Sequence, residues 1–426
     1  MKKVLALIGP ADTKSGYGYR TADLFSAFVE LYKDEFDIKF VSRRWGMLPF
    51  GALNPDNPNH KFLLDNAVSE EELGTPDIAV QVTIPNEFYK KGKINVGVTA
   101  GIETTLCSIP WIEGMNRMDY NLVSSNHSKQ TFDRTVYQSN VDPNVTVKVN
   151  SKIDVLFEGI DFKKLHTKKR SQKINKMLDE LPEEFIFLTF GRWLNGDMFQ
   201  DRKNIGGTIL AYLYAAANME EDTLLLVKTN DENEMLREEI QRKIEEVKSI
   251  FKANNPNSKV GKIKVLKGEL TDVELTTLYS HPKVKCMALL TRGEGYGRPF
   301  AEFASFGKPV IAPNWSGHID FLKSDEHPLV SGKLENVHPS VVWKDVIIPD
   351  SQWCTADLPN SIGAFFSVRS DYKSHLTRSK KSKQRLLREF SYEEMRKRLK
   401  VLFDKNVINA QPITNTIQLP KLKKVK

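Results

Sequence analysis

The stretch 292–317, "RGEGYGRPFAEFASFGKPVIAPNWSG", places two carboxylates, Glu294 and Glu302, with seven residues between them, around a turn punctuated by Gly293, Gly295 and Gly297. Glycine permits backbone conformations and close approaches that a side chain forbids. Pro299 suits the first turn of a helix, where its missing N–H has no intrahelical partner, and Gly307 is placed to end that helix. Phe300, Phe303 and Ala304 then share one inward face, which sends Glu302 elsewhere. A strand-to-helix turn of this kind aims free N–H groups at an anion, phosphate above all. Phosphate accounts for the glycines but not for the acids, which repel it. Carboxylates accept strongly from sugar hydroxyls. The constellation therefore asks for a ligand with phosphates in its middle and hydroxyls at both ends, and a nucleotide-sugar is such a ligand.

The elements that must position this turn form two series. Short runs rich in Val, Ile and Leu recur at 4–10, 36–42, 76–82, 94–100, 120–126 and 153–159, and again at 185–191, 223–229, 262–268, 285–291 and 309–314. Their continuous hydrophobicity predicts strands covered on both faces, as in parallel α/β sheets. The expected organisation is a first Rossmann-like domain over 1–165, a polar linker over 166–182, a second Rossmann-like domain over 183–371, and a basic helical segment with a tail over 372–426. Two such doubly wound domains face each other across a cleft, and ligands bind outside the carboxyl ends of their strands.

Bulk properties narrow the classes. With 426 residues, 40% hydrophobic and 27% charged, the chain is globular and long enough for two domains. Cys107, Cys286 and Cys354 are too far apart for a disulfide framework or a structural zinc site, and they fit a reducing, cytoplasmic compartment. No apolar run approaches a membrane span, and the N-terminal run reads as a first buried strand. The histidines are dispersed, and no Asp-x-Asp pair suits a divalent ion on a diphosphate, so no metal is expected. The net charge of +8 gathers at 168–176, 378–388 and 421–426. Such runs are solvated faces, or they meet an anionic partner such as nucleic acid, acidic lipid at a membrane surface, or a phosphorylated ligand.

The stretch "GEGYGRPFAEFASFGKPVIAPNWSGHIDFL" resembles the signature of retaining GT-B glycosyltransferases of family 4. "GYGYRTADLFSAF" is similar to the N-terminal glycine loop and first helix of that family, "VSSNHSKQTF" (123–132) to its "pS-fs" segment and "IDVLFEGIDFKKL" (153–165) to its "peGiD" passage. "FIFLTFGRW" with "DRKN" (201–204) resembles the start of its second domain with the basic pair. The chain is also somewhat similar to glycosyltransferases of large tailed phages.

The resemblance implies a nucleotide-sugar as co-substrate, with no other cofactor. Glu302 would hold the ribose hydroxyls, and Glu294 would contact the donor sugar. Arg192 and Lys203 would neutralise the diphosphate, with Arg202 competing for the role of Lys203. Backbone amides after Gly295 and Gly297 would complete a donor cradle running through Tyr296, Arg298 and Pro299. It further implies front-face departure, in which the leaving phosphate takes the acceptor proton. Gly16 and Gly18 could bring amides close to a phosphate or the transferred sugar, or simply form a turn. Glu103, in "TAGIETT", reads either as an acceptor contact or as a carboxylate at a helix N-terminus.

Three acceptor classes are compatible with these motifs: a glycan, a lipid-linked sugar, and a hydroxymethylated base in DNA. A sugar-nucleotide enzyme of the same fold, such as a 2-epimerase, is the rival that needs no acceptor.

Overall fold

The computed structural model describes residues 2–46, 48–138, 141–142, 144–193, 196–229 and 234–410. The lysine-rich run 421–426 lies outside them.

The first domain is built on six parallel strands: β1 (Lys3–Gly9), β2 (Phe36–Ser42), β3 (Ile78–Val82), β4 (Ile94–Thr99), β5 (Tyr120–Val123) and β8 (Lys152–Val155), in the order β2-β1-β3-β4-β5-β8. A small antiparallel pair, β6 (Tyr137–Gln138) and β7 (Thr146–Val147), precedes the last of them. The second sheet is also six-stranded and parallel: β9 (Ile186–Phe190), β10 (Leu224–Lys228), β11 (Lys262–Leu266), β12 (Val284–Ala288), β13 (Val310–Pro313) and β14 (Leu329–Val330), in the order β11-β10-β9-β12-β13-β14. The expectation of two doubly wound α/β domains is met. The central strands β3 and β10 are buried at every residue, because helices cover both faces.

Local chemistry sets the element ends. The first helix, Gly16–Tyr32, starts where Ser15 accepts from Gly18 N–H, a side-chain cap worth about 1 kcal/mol. It buries Leu24, Phe25, Phe28 and Tyr32 against the sheet. The stretch 166–182 holds the helix Gln172–Asp179, whose Ile174 and Leu178 are buried.

The C-terminal segment spans both domains. Helix Tyr372–Glu389 is tied to the second domain where Arg385 pairs with Glu326 and its Nη2 donates to Phe321 O at 2.6 Å. Helix Tyr392–Phe403 returns to the first domain: Phe403 packs edge-on to Phe28 at 5.0 Å, Tyr32 donates to Asp404 at 2.8 Å, and Ile160 bridges to Ser391. One continuous apolar core therefore runs from Leu7 and Phe28 to Leu188, Phe365 and Leu399.

A hairpin, β15 (Gly332–Asn336) and β16 (Gln352–Ala356), projects from the second domain. Its connection reaches the first domain, where Ser108 Oγ donates to Asp345 O at 2.7 Å and Thr105 N–H to Gln352 O at 2.9 Å. Among the described residues, no helix is long and apolar enough to cross a membrane. Cys107, Cys286 and Cys354 are free and buried.

Candidate functional site

In the second sheet the strand order reverses between β9 and β12, and the crevice at the carboxyl ends of such a pair is where ligands settle in doubly wound domains. The loop leaving β12 carries Glu294. The segment after β9 brings Arg202 and Lys203 to it. Lys203 Nζ lies 2.7 and 2.9 Å from the two Glu294 carboxylate oxygens. Thr291 donates to Oε1 at 2.8 Å, and Arg202 Nη1 lies 3.5 Å from Oε2. Burial alone would raise the Glu294 pKa, but the charges of Lys203 and Arg202 outweigh it and hold the group at about 2. A buried carboxylate is thus kept ionised between two cations.

The glycines of the turn meet a demand that the sequence did not display. A Cβ on Gly293 would fall 2.0 Å from Glu103 O, and one on Gly295 would fall 2.4 Å from Ala100 O. The turn presses directly against the 99–105 loop of the first domain. Gly297 has φ +92 and starts the helix Arg298–Ala304, while Gly307 at φ +74 follows its end. Pro299 lies in the first turn, and Phe300, Phe303 and Ala304 are buried, as their spacing predicts.

Contacts between the domains surround the Glu294 end of the cleft. Ser124 Oγ donates to Gly295 O at 3.0 Å, and Asn126 N–H donates to Asp320 at 2.8 Å. Tyr17 donates to Thr83 O and accepts from Ala100 N–H, fastening the first helix to the same loop. Glu103 completes the bridge, 3.7 Å from Arg202 Nη1. Arg202 therefore stands between a carboxylate of each domain.

At the Glu302 end the cleft opens into a cavity of about 180 Å³ between the domains, lined among others by Asp23, Asn59, Lys164, Asp272, Arg298 and Glu302. Arg298 Nε pairs with Glu302 and its Nη1 with Asp23 across the domain boundary, both at 2.8 Å. Burial raises the Glu302 pKa, and Arg298 opposes the rise.

The remaining candidates are dispersed around this centre. Arg192 is exposed just beyond β9. Tyr296 is buried against Phe321, and its hydroxyl has no hydrogen-bond partner. A Cβ at Gly16 would meet open space, whereas one at Gly18 would fall 1.8 Å from Thr13 O, so Gly18 serves the packed turn. His318 is fixed by Pro313 O at 2.7 Å. His127 packs against Trp315 across the interface, and burial lowers its pKa to about 4.

Three residues at this centre were not singled out from the sequence: Thr291, Asp23 and Asp201. Asp201 is buried next to the basic pair, and burial raises its pKa to about 6. Its only sequence signal is its place beside Arg202.

No protein-family model and no curated protein matches the chain. Solved structures do match, over nearly its whole length. Anabaena HepE, in complex with UDP and glucose, superimposes with a TM-score of 0.58 at 12% identity, over 94% of this chain and 99% of that one. Sucrose-phosphate synthase from Thermosynechococcus elongatus gives 0.61 at 13% identity, over 94% and 98%. A glycosyltransferase from Rickettsia africae gives 0.61 at 13% identity, over 96% and 100%. Together with the two parallel sheets facing each other across the Glu294 centre, these matches establish that the chain has the GT-B fold.

Proposed function

We propose that this protein is a cytoplasmic glycosyltransferase that moves a sugar from a nucleoside-diphosphate-sugar to an acceptor hydroxyl with retention of configuration and without a metal cofactor. The observation that carries the reading is the convergence of Lys203 and Arg202 on an ionised, buried Glu294 at the strand-order reversal of the second domain. The family 4 motifs and the likeness to a fold seen holding UDP and glucose in HepE support it.

In this reading Glu294 accepts hydrogen bonds from the donor sugar, and Glu302 accepts from the ribose at the cavity end. A diphosphate entering the centre takes over cations that Glu294 now holds. As the bond from the anomeric carbon to the phosphate oxygen breaks, Arg202 and Lys203 meet the charge that develops on the leaving group. Fixed donors of this kind contribute roughly 3–4 kcal/mol each when aimed at a developing anion. The acceptor oxygen bonds to the anomeric carbon on the face the phosphate leaves, and the acceptor proton passes to the departing phosphate oxygen.

A thermal-shift screen against UDP, GDP, ADP and their sugar conjugates tests the reading. A true donor stabilises the folded chain by about 2.7 kcal/mol at a hundredfold excess over Kd. Glu302→Ala should lose most of that shift. Glu294→Ala should abolish turnover with the fold intact. Full activity in both variants, or no response to any nucleotide, refutes the assignment. The anomeric configuration of the product, read by proton NMR coupling, decides retention.

A further inference from the structure

Two basic runs that lie some two hundred residues apart in the chain meet on one face of the second domain. His166 marks the junction. Its Nε2 lies 2.8 Å from Ser305 Oγ and its ring 4.5 Å from that of Phe306. Burial, with the charges of Lys383 and Arg170 added to it, lowers its pKa to about 4. Lys380 and Lys383 flank the neighbouring Gly307, where a Cβ would meet Lys383 Cδ at 3.5 Å and Lys380 Cγ at 3.6 Å. Lys168, Lys169, Arg170, Lys380 and Lys381 are exposed and Lys383 is half-buried.

Among the described residues none of these six cations pairs with a carboxylate, although nearby Lys164, Lys173, Lys176 and Arg385 all do. A face of unpaired like charge repels itself, and an anionic partner relieves that repulsion. The partner's chemistry follows from what else the face offers. Seating in a lipid surface uses apolar side chains, but the outward positions of helix Tyr372–Glu389 are Lys373, Thr377, Lys380, Lys381, Gln384 and, at its end, Arg388 paired with Glu389. None of the exposed large hydrophobic residues falls on this helix. A single-stranded nucleic acid is held by stacking on aromatic rings, and the outward positions carry none.

A duplex is different. Its regularly spaced phosphates are bound by cations alone, and the helix from Lys373 to Lys383 offers them along about 15 Å at 1.5 Å per residue. We propose that this face binds duplex nucleic acid through its phosphates. It would hold the duplex against the wall of the cleft, because the helix bearing Glu302 runs directly into Ser305–Gly307 beneath the basic face. The proposal stands independently of the glycosyl-transfer reading.

The test is fluorescence anisotropy of the full-length protein with a labelled duplex of about 20 bp at increasing salt. If about five phosphates are neutralised, log K falls against log salt with a slope near −4.5, a loss of roughly 500-fold between 50 and 200 mM. The variant Lys380→Glu/Lys381→Glu/Lys383→Glu and the variant Lys168→Glu/Lys169→Glu/Arg170→Glu should each weaken binding at least about tenfold and flatten the slope by about 2 to 3. Circular dichroism and any nucleotide-induced thermal shift should stay unchanged in both, since five of the six positions are exposed and none lines the cavity at Glu302.

A weak, salt-insensitive interaction would overturn the proposal. So would duplex binding that both variants retain but that is lost when Lys421, Lys423, Lys424 and Lys426 are replaced by Ser. Binding to phosphatidylserine-rich vesicles that the variants abolish, with no duplex binding at low salt, would assign the face to a membrane instead.

Discussion

Lys203→Met is the most informative single change at the Glu294 centre. Glu294 titrates at about 2 instead of its ordinary 4.5, and at about 1.4 kcal/mol per tenfold change in proton affinity that drop alone corresponds to about 3 kcal/mol at pH 7, from which the burial that lowers the pKa of Lys203 subtracts. Lys203 touches both carboxylate oxygens, while Arg202 and Thr291 hold the remainder. Lys203 should therefore account for about 2 kcal/mol. The assay is a double-mutant cycle of wild type, Lys203→Met, Glu294→Gln and the pair, each unfolded in urea at pH 7 and followed through the second domain's transition. A coupling energy of about 2 kcal/mol is expected, because the single Lys203 variant leaves a buried charge that the double variant no longer carries.

The sign with pH is fixed by the lowered folded-state pKa. The contribution is fully present above about pH 4.5 and is lost as pH falls toward 2. Coupling below about 0.5 kcal/mol, or coupling that grows on acidification, would refute the claim that Lys203 keeps Glu294 ionised.

Gly293→Ala should place a methyl group against Glu103 O, force the 99–105 loop away and abolish activity. Both domains should stay folded, and small-angle scattering should show a longer particle. Arg385→Met strips the buried Glu326 carboxylate of its partner and should cost about 3 kcal/mol, read as a lower unfolding midpoint. Asp23→Asn removes the anion that ties Arg298 to the first domain, and should weaken nucleotide affinity less than Glu302→Ala does, as calorimetry would show.

Much of this centre is local, and local features are legible in a chain. The strand runs, the helix stop at Gly307 and the inward face of Phe300, Phe303 and Ala304 follow from spacing that a short window contains. The reason for Gly293 and Gly295 does not, because the carbonyls that crowd them belong to residues nearly two hundred positions earlier. Choosing between Arg202 and Lys203 was beyond the sequence for a related reason. They are neighbours on an irregular loop with no periodicity to orient them, and in the fold both reach Glu294. The hairpin Gly332–Ala356 left only a weak signal, with short strands of mixed polarity whose contacts lie in the other domain. The amphipathic character of the C-terminal helices was readable, but not the domain each would join.

The return of the last helix to the first domain bears on how the chain is made. Phe28 and Tyr32 emerge from the ribosome early, yet the aromatic ring and carboxylate that cover them, on Phe403 and Asp404, emerge nearly last. At about 5 to 20 residues per second the first domain must wait tens of seconds with that apolar surface uncovered. A fragment ending near residue 371 would keep the surface exposed permanently and should be sticky in isolation. Supplied in trans, a peptide spanning the final helix should restore its solubility.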